Sequence, residues 1–312
     1  MSLLYIYRLR AAIRFVIAIK VFEQRGIVMT AGTDTQYITD TQYITDTQYI
    51  ADTLGMTHIR NITLTLEYDG SAFHGWQSQV NALAVQDAVA GAIARLTDEK
   101  NVKLTGASRT DAGVHALGQV ANFHTSSNIP ADKFSFALNT ILPEGVSVID
   151  SRQAPFDFHA RYSALGKKYI YRIINRRHPS AVLKDRAWHV PLELDVELMA
   201  AAASKLVGEH DFRTFMAAGS PVRSTVRNIW DVSVAQNAAA LNCSGDEILV
   251  SISGNGFLYN MVRIIIGTLV SIGHRRMPVS RIDDMLSLSL QRKDAGQTAP
   301  PHGLYLAEVY YA

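Results

Sequence analysis

The sequence predicts an α+β protein built from two similar sub-domains with mainly antiparallel sheet. Two observations carry this. Residues 58–155 and 156–312 each run through short alternating segments broken by amphipathic ones, so the same strand–helix rhythm occurs twice. Turn-forming residues gather between the two rounds, near 154–164. The bulk composition allows it: 312 residues, 48% hydrophobic and 19% charged, can bury one large core or two modest ones and do not describe a disordered chain.

The first round opens with Ile62, Leu64 and Leu66 alternating with Thr63, Thr65 and Glu67, a strand by period two. Tyr68-Asp69-Gly70-Ser71 is a turn signal. Val85, Val89, Ile93 and Leu96 share one face of a helix over 85–96. Short strands are expected over 102–104 and 118–124, a helix over 134–142 stopped by Pro143-Glu144-Gly145, and a strand over 146–150. In the second round 168–174 alternates as a strand, and Val196, Met199, Ala203 and Leu206 mark a helix over 196–207 ended by Gly208. Strands follow over 226–234 and 248–253, then a long apolar helix over 257–272, an amphipathic segment over 282–290 and a closing strand over 304–310.

Residues 1–57 read as a leader outside this pattern. The apolar stretch 3–28 is interrupted by Arg8, Arg10, Arg14, Lys20 and Arg25, too often for a membrane span. A basic amphipathic helix, a targeting-like segment and upstream sequence translated from a mis-set start all fit it, with Met29 and Met56 as candidate starts. The hexapeptide at 34–39 recurs at 40–45 and, nearly intact, at 46–51, which resembles local duplication of coding DNA more than a solenoid. Deleting the leader is expected to leave activity intact. Cys243 is the single cysteine, so neither an internal disulfide nor a cysteine zinc site is available; this suits a reducing cytoplasm and an inert thiol.

The stretch 106–123, GASRTDAGVHALGQVANF, stands out for chemistry. Asp111 sits in a tight turn of small residues beside Arg109, as an accessible catalytic carboxylate would, and Gly106, Gly113 and Gly118 would let another molecule approach the backbone. The plain alternative is a structural Arg109–Asp111 ion pair. His115, four residues on, suggests a metal ligand or a dyad, but without a second spaced ligand a structural histidine is the better reading. Trp76 reads as core. The net charge of +2 is weak, so any nucleic-acid surface must be local. Such a surface is available between Arg152 and Trp188, where nine Lys or Arg face two Asp, with Tyr162, Tyr169, Tyr171 and Trp188 interleaved. Basic residues follow phosphates and aromatic faces stack on bases; the alternative is a solvated strand face.

Several motifs occur together and in order: Tyr68-Asp69-Gly70, Gly75-Trp76-Gln77, Val85-Gln86, the octet from Arg109 to Ala116, Gly118-Gln119-Val120, and Phe158-His159-Ala160-Arg161. They continue with Lys168-Tyr169, Arg223-Ser224-Thr225-Val226-Arg227, Phe257-Leu258, Met261-Val262-Arg263, Ala299-Pro300 and Gly303-Leu304-Tyr305. Together they resemble the TruA family of tRNA pseudouridine synthases from about residue 59 onward. One departure is Ser108, where the family more often has glycine.

The resemblance implies the pseudouridine synthase fold, two ferredoxin-like or RRM-like sub-domains (58–155 and 156–312) around a central cleft. It implies isomerisation of uridine in the tRNA anticodon stem-loop at positions 38, 39 and 40, with no cofactor, by a cytoplasmic homodimer. Asp111 would attack C1′ or abstract a proton from C2′, Arg263 would pair with Asp111, and Tyr169 would stack on the base and serve the C5 proton. Arg109, Thr110, Arg161, Lys167, Lys168 and Arg172 would bind the RNA, and no metal is implied. A paired uridine would have to leave its stack to reach the carboxylate. Two rival readings remain: a non-catalytic RNA-binding protein on the same fold, and a glycosidase, which would want a second acid at a fixed separation.

Overall fold

The first strand of the fold, β1 (Arg60–Tyr68), buries Ile62, Leu64, Leu66 and Tyr68 on alternate positions, as the period-two pattern predicts. The computed structural model describes residues 59–219, 222–237, 246–287 and 289–312; the leader with its hexapeptides and Cys243 lie outside these. After β1 come α1 (Val85–Thr97), β2 (Thr105–Gly106), β3 (His115–Thr125), α2 (Phe134–Asn139) and β4 (Val146–Ala154). The second half supplies β5 (Gly166–Asn175), β6 (Trp188–Val190), α3 (Val196–Ser204), β7 (Gly208–Asp211), β8 (Val226–Asn237), β9 (Glu247–Gly254), α4 (Met261–Gly273), α5 (Arg281–Leu286) and β10 (Leu304–Tyr310).

All ten strands join one sheet in the order β4-β1-β3-β10-β5-β9-β8-β7, with β2 beside β3 and β6 beside β5. The pairings are antiparallel except β10 with β3 and β5 with β6. The mixed α/β class and the mostly antiparallel sheet are therefore as expected. The last strand decides where the site forms. Tyr305 of β10 is level with His115 of β3 on one side and with Ile170 of β5 on the other. That register brings the turn before β3, which carries Asp111, next to the strand that carries Tyr169.

Helix α4 is buried almost all round: Met261, Val262, residues 264–270, Ile272 and Gly273 are all inside, while Arg263 and Ser271 are partly open. A helix apolar on every face belongs in a core. Among the described residues, no helix is long and apolar enough to cross a membrane.

Several predicted boundaries move. The long helix starts at Met261, not 257, because Asn260 adopts a left-handed backbone (φ 58°) that cannot continue a helix leftward of it; residues 257–260 become a loop. The helix expected over 134–142 closes at Asn139, whose side-chain amide bonds both the N–H and the carbonyl of Val148. Gly208 does not merely stop α3, which ends at Ser204; at φ +109° it opens β7. The short strand expected over 102–104 lies at β2, and the 282–290 segment yields only α5.

The glycines of the Asp111 stretch serve the protein's own packing rather than an incoming ligand. A Cβ on Gly106 would stand 2.4 Å from the Trp76 ring, and one on Gly118 would stand 2.6 Å from the Ala307 carbonyl of β10. Trp76 is 2% exposed, its backbone N–H donates to the Thr110 carbonyl at 3.1 Å, and its indole packs against Gly106, so the residue props the loop. Gly106→Ala is expected to cost about 1–3 kcal/mol by overpacking against an indole that has nowhere to go. Denaturant unfolding checks it, and an unchanged midpoint at constant slope would show that the ring gives way freely.

Candidate active site

Asp111 stands on a loop fixed from several directions. Its carbonyl accepts the N–H of Val114 at 3.1 Å, a turn completed by Gly113 at φ +80°. The Tyr68 and Thr110 hydroxyls bond at 2.8 Å behind it, with Thr110 only 7% exposed. Gln119, fully buried on β3, holds Ser108 by both ends: its amide nitrogen donates to the Ser108 carbonyl at 2.7 Å, and its oxygen accepts the Ser108 N–H at 3.2 Å.

The partner of Asp111 is Arg263 in the first turn of α4, not Arg109. Arg263 Nη1 donates to Asp111 Oδ2 at 3.2 Å and to Asn260 Oδ1 at 2.8 Å, and its Nε donates to the Ala299 carbonyl at 2.7 Å. The Ala299 N–H returns a bond to the Arg263 carbonyl at 3.0 Å. The guanidinium is thus aimed by three acceptors, and its side chain is 15% exposed against 37% for Asp111. Asp111 Oδ1 accepts no hydrogen bond from the described residues. One oxygen is held and the other is open.

Asp111 and Arg263 line a cleft of about 1080 Å³ together with Arg109, Thr110, Arg161, Tyr162, Lys167, Tyr169, Arg227 and Tyr259. Five cationic side chains face it (Arg109, Arg161, Lys167, Arg227 and Arg263), and Asp111 is its one carboxylate among the described residues. Arg109 is exposed and makes no hydrogen bond or ion pair with a described residue, which leaves it free for an anion. Tyr169 is 7% exposed, its ring edge-on to Phe257 at 5.1 Å, and its hydroxyl is 3.0 Å from Ser108 Oγ. Burial first, offset by the Ser108 hydrogen bond and reinforced by the Asp111 charge, pushes the Tyr169 phenol up to about 12.

Strand register separates the basic residues that sequence had grouped. On β5, Lys167 and Tyr169 share the cleft face, whereas Lys168 and Arg172 fall on the other. Arg172 Nε lies 2.6 Å from Glu247, which is 1% exposed, and its guanidinium lies over Tyr305. Neither Lys168 nor Arg172 lines the cleft, and Arg172 is engaged by Glu247 instead. The wider basic run is divided as well: Arg152, Arg172, Arg176, Lys184 and Arg186 pair with Asp150, Glu247, Asp246, Asp185 and Asp69. Of the nine, only Arg161 and Lys167 line the cleft.

Lys167→Ala is expected to reduce the slope of log affinity for RNA against log salt by about one, the share of a single phosphate contact. Arg172→Ala should leave that slope alone and instead destabilise by about 3 kcal/mol, because it strands a buried carboxylate. Salt-titrated binding with thermal unfolding separates the two, and a flattened slope in Arg172→Ala would contradict the register argument.

His115 is structural, as expected. It accepts the Gly70 N–H on Nδ1 at 3.0 Å and stacks on Tyr305 at 4.6 Å. An Nδ1 that accepts leaves the proton on Nε2, which lies 3.0 Å from the Asp185 carbonyl and 3.1 Å from that of His302. With Nδ1 accepting the Gly70 N–H, its 3.2 Å approach to Asp69 is not an ion pair, and burial lowers its pKa in the same sense. Among the described residues no three His, Cys, Asp or Glu are grouped to hold a metal ion. Sequence reasoning missed Asn260, the Ala299 carbonyl, Arg227 and the hydroxyl of Ser108. Asn260 lies between two quoted motifs; the Ser108 departure was visible, but its partner across the cleft was not.

Fold and site together define a mixed α/β protein whose basic cleft encloses one guanidinium-held carboxylate. A tRNA pseudouridine synthase family model matches residues 65–163 and 202–312, and the chain belongs to that family. It is 51% identical over 254 residues to tRNA pseudouridine synthase A of Acetivibrio thermocellus, covering 81% of this chain and all of that one. The enzymes of the same name from Ruminiclostridium cellulolyticum and a Thermoanaerobacter species are 49% and 46% identical over 253 residues, again with 81% of this chain and the whole relative covered. A chain of a solved Cbf5–Nop10–Gar1 complex overlaps 67% of this chain and 45% of its own at 12% identity and a TM-score of 0.31, too loose a likeness to bear on the argument.

Proposed function

We propose that the protein isomerises uridine to pseudouridine in the anticodon stem-loop of tRNA, at positions 38, 39 and 40, with Asp111 as its catalytic carboxylate. The observation that carries this reading is the Asp111–Arg263 pair, with one carboxylate oxygen held at 3.2 Å, in a cleft otherwise lined by cations. An RNA backbone needs the cations, and a C1′ losing its base needs the carboxylate.

The reaction breaks the N1–C1′ bond, turns the uracil and forms a C5–C1′ bond; C5 loses a proton and N1 gains one. Nothing is oxidised or hydrolysed. Two routes are open to Asp111 Oδ1: attack on C1′, or removal of the C2′ proton to give a glycal. Arg263 counterbalances the carboxylate throughout. Tyr169 packs against the flipped base and enters the reaction as a neutral phenol, since its pKa is about 12; it takes up the C5 proton only while releasing its own. Arg109, Arg161 and Lys167 hold phosphates, and Thr110 keeps the loop in place. In this reading residues 58–155 bring the carboxylate and 156–312 complete the cleft. The protein works in the cytoplasm as a homodimer with one tRNA across both subunits.

Incubation with unmodified tRNA, followed by pseudouridine mapping, tests the reading. Pseudouridine at 38–40 without release of free uracil is the expected result. Free uracil would favour a glycosidase, and binding without conversion would favour a non-catalytic RNA-binding protein.

A further inference from the structure

Six aromatic residues, Phe156, Phe158, Tyr162, Tyr169, Tyr171 and Trp188, punctuate the basic stretch from Arg152 to Trp188, and the fold sorts them. Tyr171 is fully buried with its hydroxyl on the Pro300 carbonyl at 2.8 Å. Trp188 packs perpendicular to Tyr171 at 6.3 Å, and Tyr169 is nearly buried at the cleft floor. Phe158 packs on Tyr311, and Phe156, 65% exposed, packs edge-on to His124 and does not line the cleft; Tyr162 is 76% exposed and lines the same cleft as Asp111.

Tyr162 is nevertheless held in place. Its ring stacks on His159, with centroids 4.3 Å apart and planes 28° from parallel. His159 is anchored in turn, because its Nδ1 accepts the N–H groups of both Arg161 and Tyr162 at 3.2 Å. The turn is closed again by the Ser163 N–H on the His159 carbonyl at 2.9 Å and by the His159 N–H on Ser163 Oγ at 3.1 Å. The Arg161 guanidinium stands 5.7 Å from the Tyr162 centroid, exposed and with no acid partner among the described residues. An exposed aromatic ring backed by a second ring, with a free cation alongside, is what a nucleotide needs: a surface for its base and a charge for its phosphate. Left uncovered, so large an exposed ring has no role in the core.

We propose that Tyr162, backed by His159, is a stacking platform for a second, unpaired nucleobase of the RNA, near the uridine taken to Asp111, and that Arg161 contacts that nucleotide's phosphate. The proposal rests on the reading of the cleft as an RNA site. It adds a subsite that grips the opened loop and so offsets part of the cost of unstacking the target uridine.

The probe is a synthetic anticodon stem-loop RNA, intact or with a single abasic residue at successive loop positions, bound to the full chain. Tyr162→Ala is expected to weaken binding of the intact RNA about tenfold, within the range of one base–aromatic stack, and Tyr162→Phe to bind like the unchanged protein. At one loop position the abasic RNA should lose about as much, and Tyr162→Ala should add no further loss there. Unaltered binding by Tyr162→Ala, or losses that add at every loop position, would overturn the platform. Failure of the unchanged protein to form pseudouridine is a separate outcome, which sinks the Asp111 reading whatever Tyr162 does.

Discussion

Asp111→Asn is expected to lower uridine isomerisation by about 10³-fold or more, the scale on which catalytic acid–base groups act, without weakening RNA binding. The second half is the more diagnostic. Asp111 is the one carboxylate among the described cleft residues, facing five cations. Neutralising it removes a repulsion toward phosphate, so affinity should hold or rise. Asparagine is nearly isosteric and still offers an oxygen to Arg263 Nη1, so the loop keeps its shape. Single-turnover conversion of a labelled stem-loop, beside filter binding of the same RNA, reads both quantities. Comparable turnover in Asp111→Asn would remove the carboxylate from the chemistry, and a parallel loss of binding would make it a structural group.

Arg263→Lys should be nearly as damaging as Arg263→Ala, although lysine keeps the charge. Arg263 directs Nε to Ala299 and Nη1 to both Asn260 and Asp111. A lysine ammonium is a single compact donor group and cannot span acceptors placed around a planar fork. With Arg263 mostly buried but Asp111 37% exposed, breaking the pair costs about 3 kcal/mol, the low end for a buried pair, which at 1.4 kcal/mol per decade corresponds to about 10² in rate if it falls on the transition state. The loss should appear in kcat, with KM for RNA little changed, because the pair sits at the reacting centre and not along the backbone track. A fully active Arg263→Lys would mean that charge alone matters at this position.

The sequence was most legible where periodicity and chemistry coincide. Strand β1 and helix α1 follow directly from alternating or helical apolar spacing, because each has one buried face. The Asp111 turn was legible for a different reason: its small neighbours alone fit a structural ion pair with Arg109 as well, and only the motifs elsewhere in the chain set it apart. Illegible parts depended on which side of a strand a residue takes, or on a partner far along the chain. Lys167 and Lys168 are neighbours in sequence and occupy opposite faces of β5. Arg172 looked like an RNA contact because nothing local announced Glu247, 75 residues later, as its buried partner. The start of α4 was missed because a left-handed Asn260 breaks an apolar run that hydropathy alone would extend. Tyr162 could not be told from Tyr171 until burial separated them.

The position of β10 has a consequence for how the molecule comes into being. This strand is last in chain order, yet it lies between β3 and β5, so the two halves of the sheet have no shared seam until it docks. Its pairing of Tyr305 with His115 closes a loop of 190 residues (305 − 115), a costly and slow contact to form. A nascent chain on the ribosome can therefore carry a finished Asp111 turn and a finished α4 and still have no catalytic cleft.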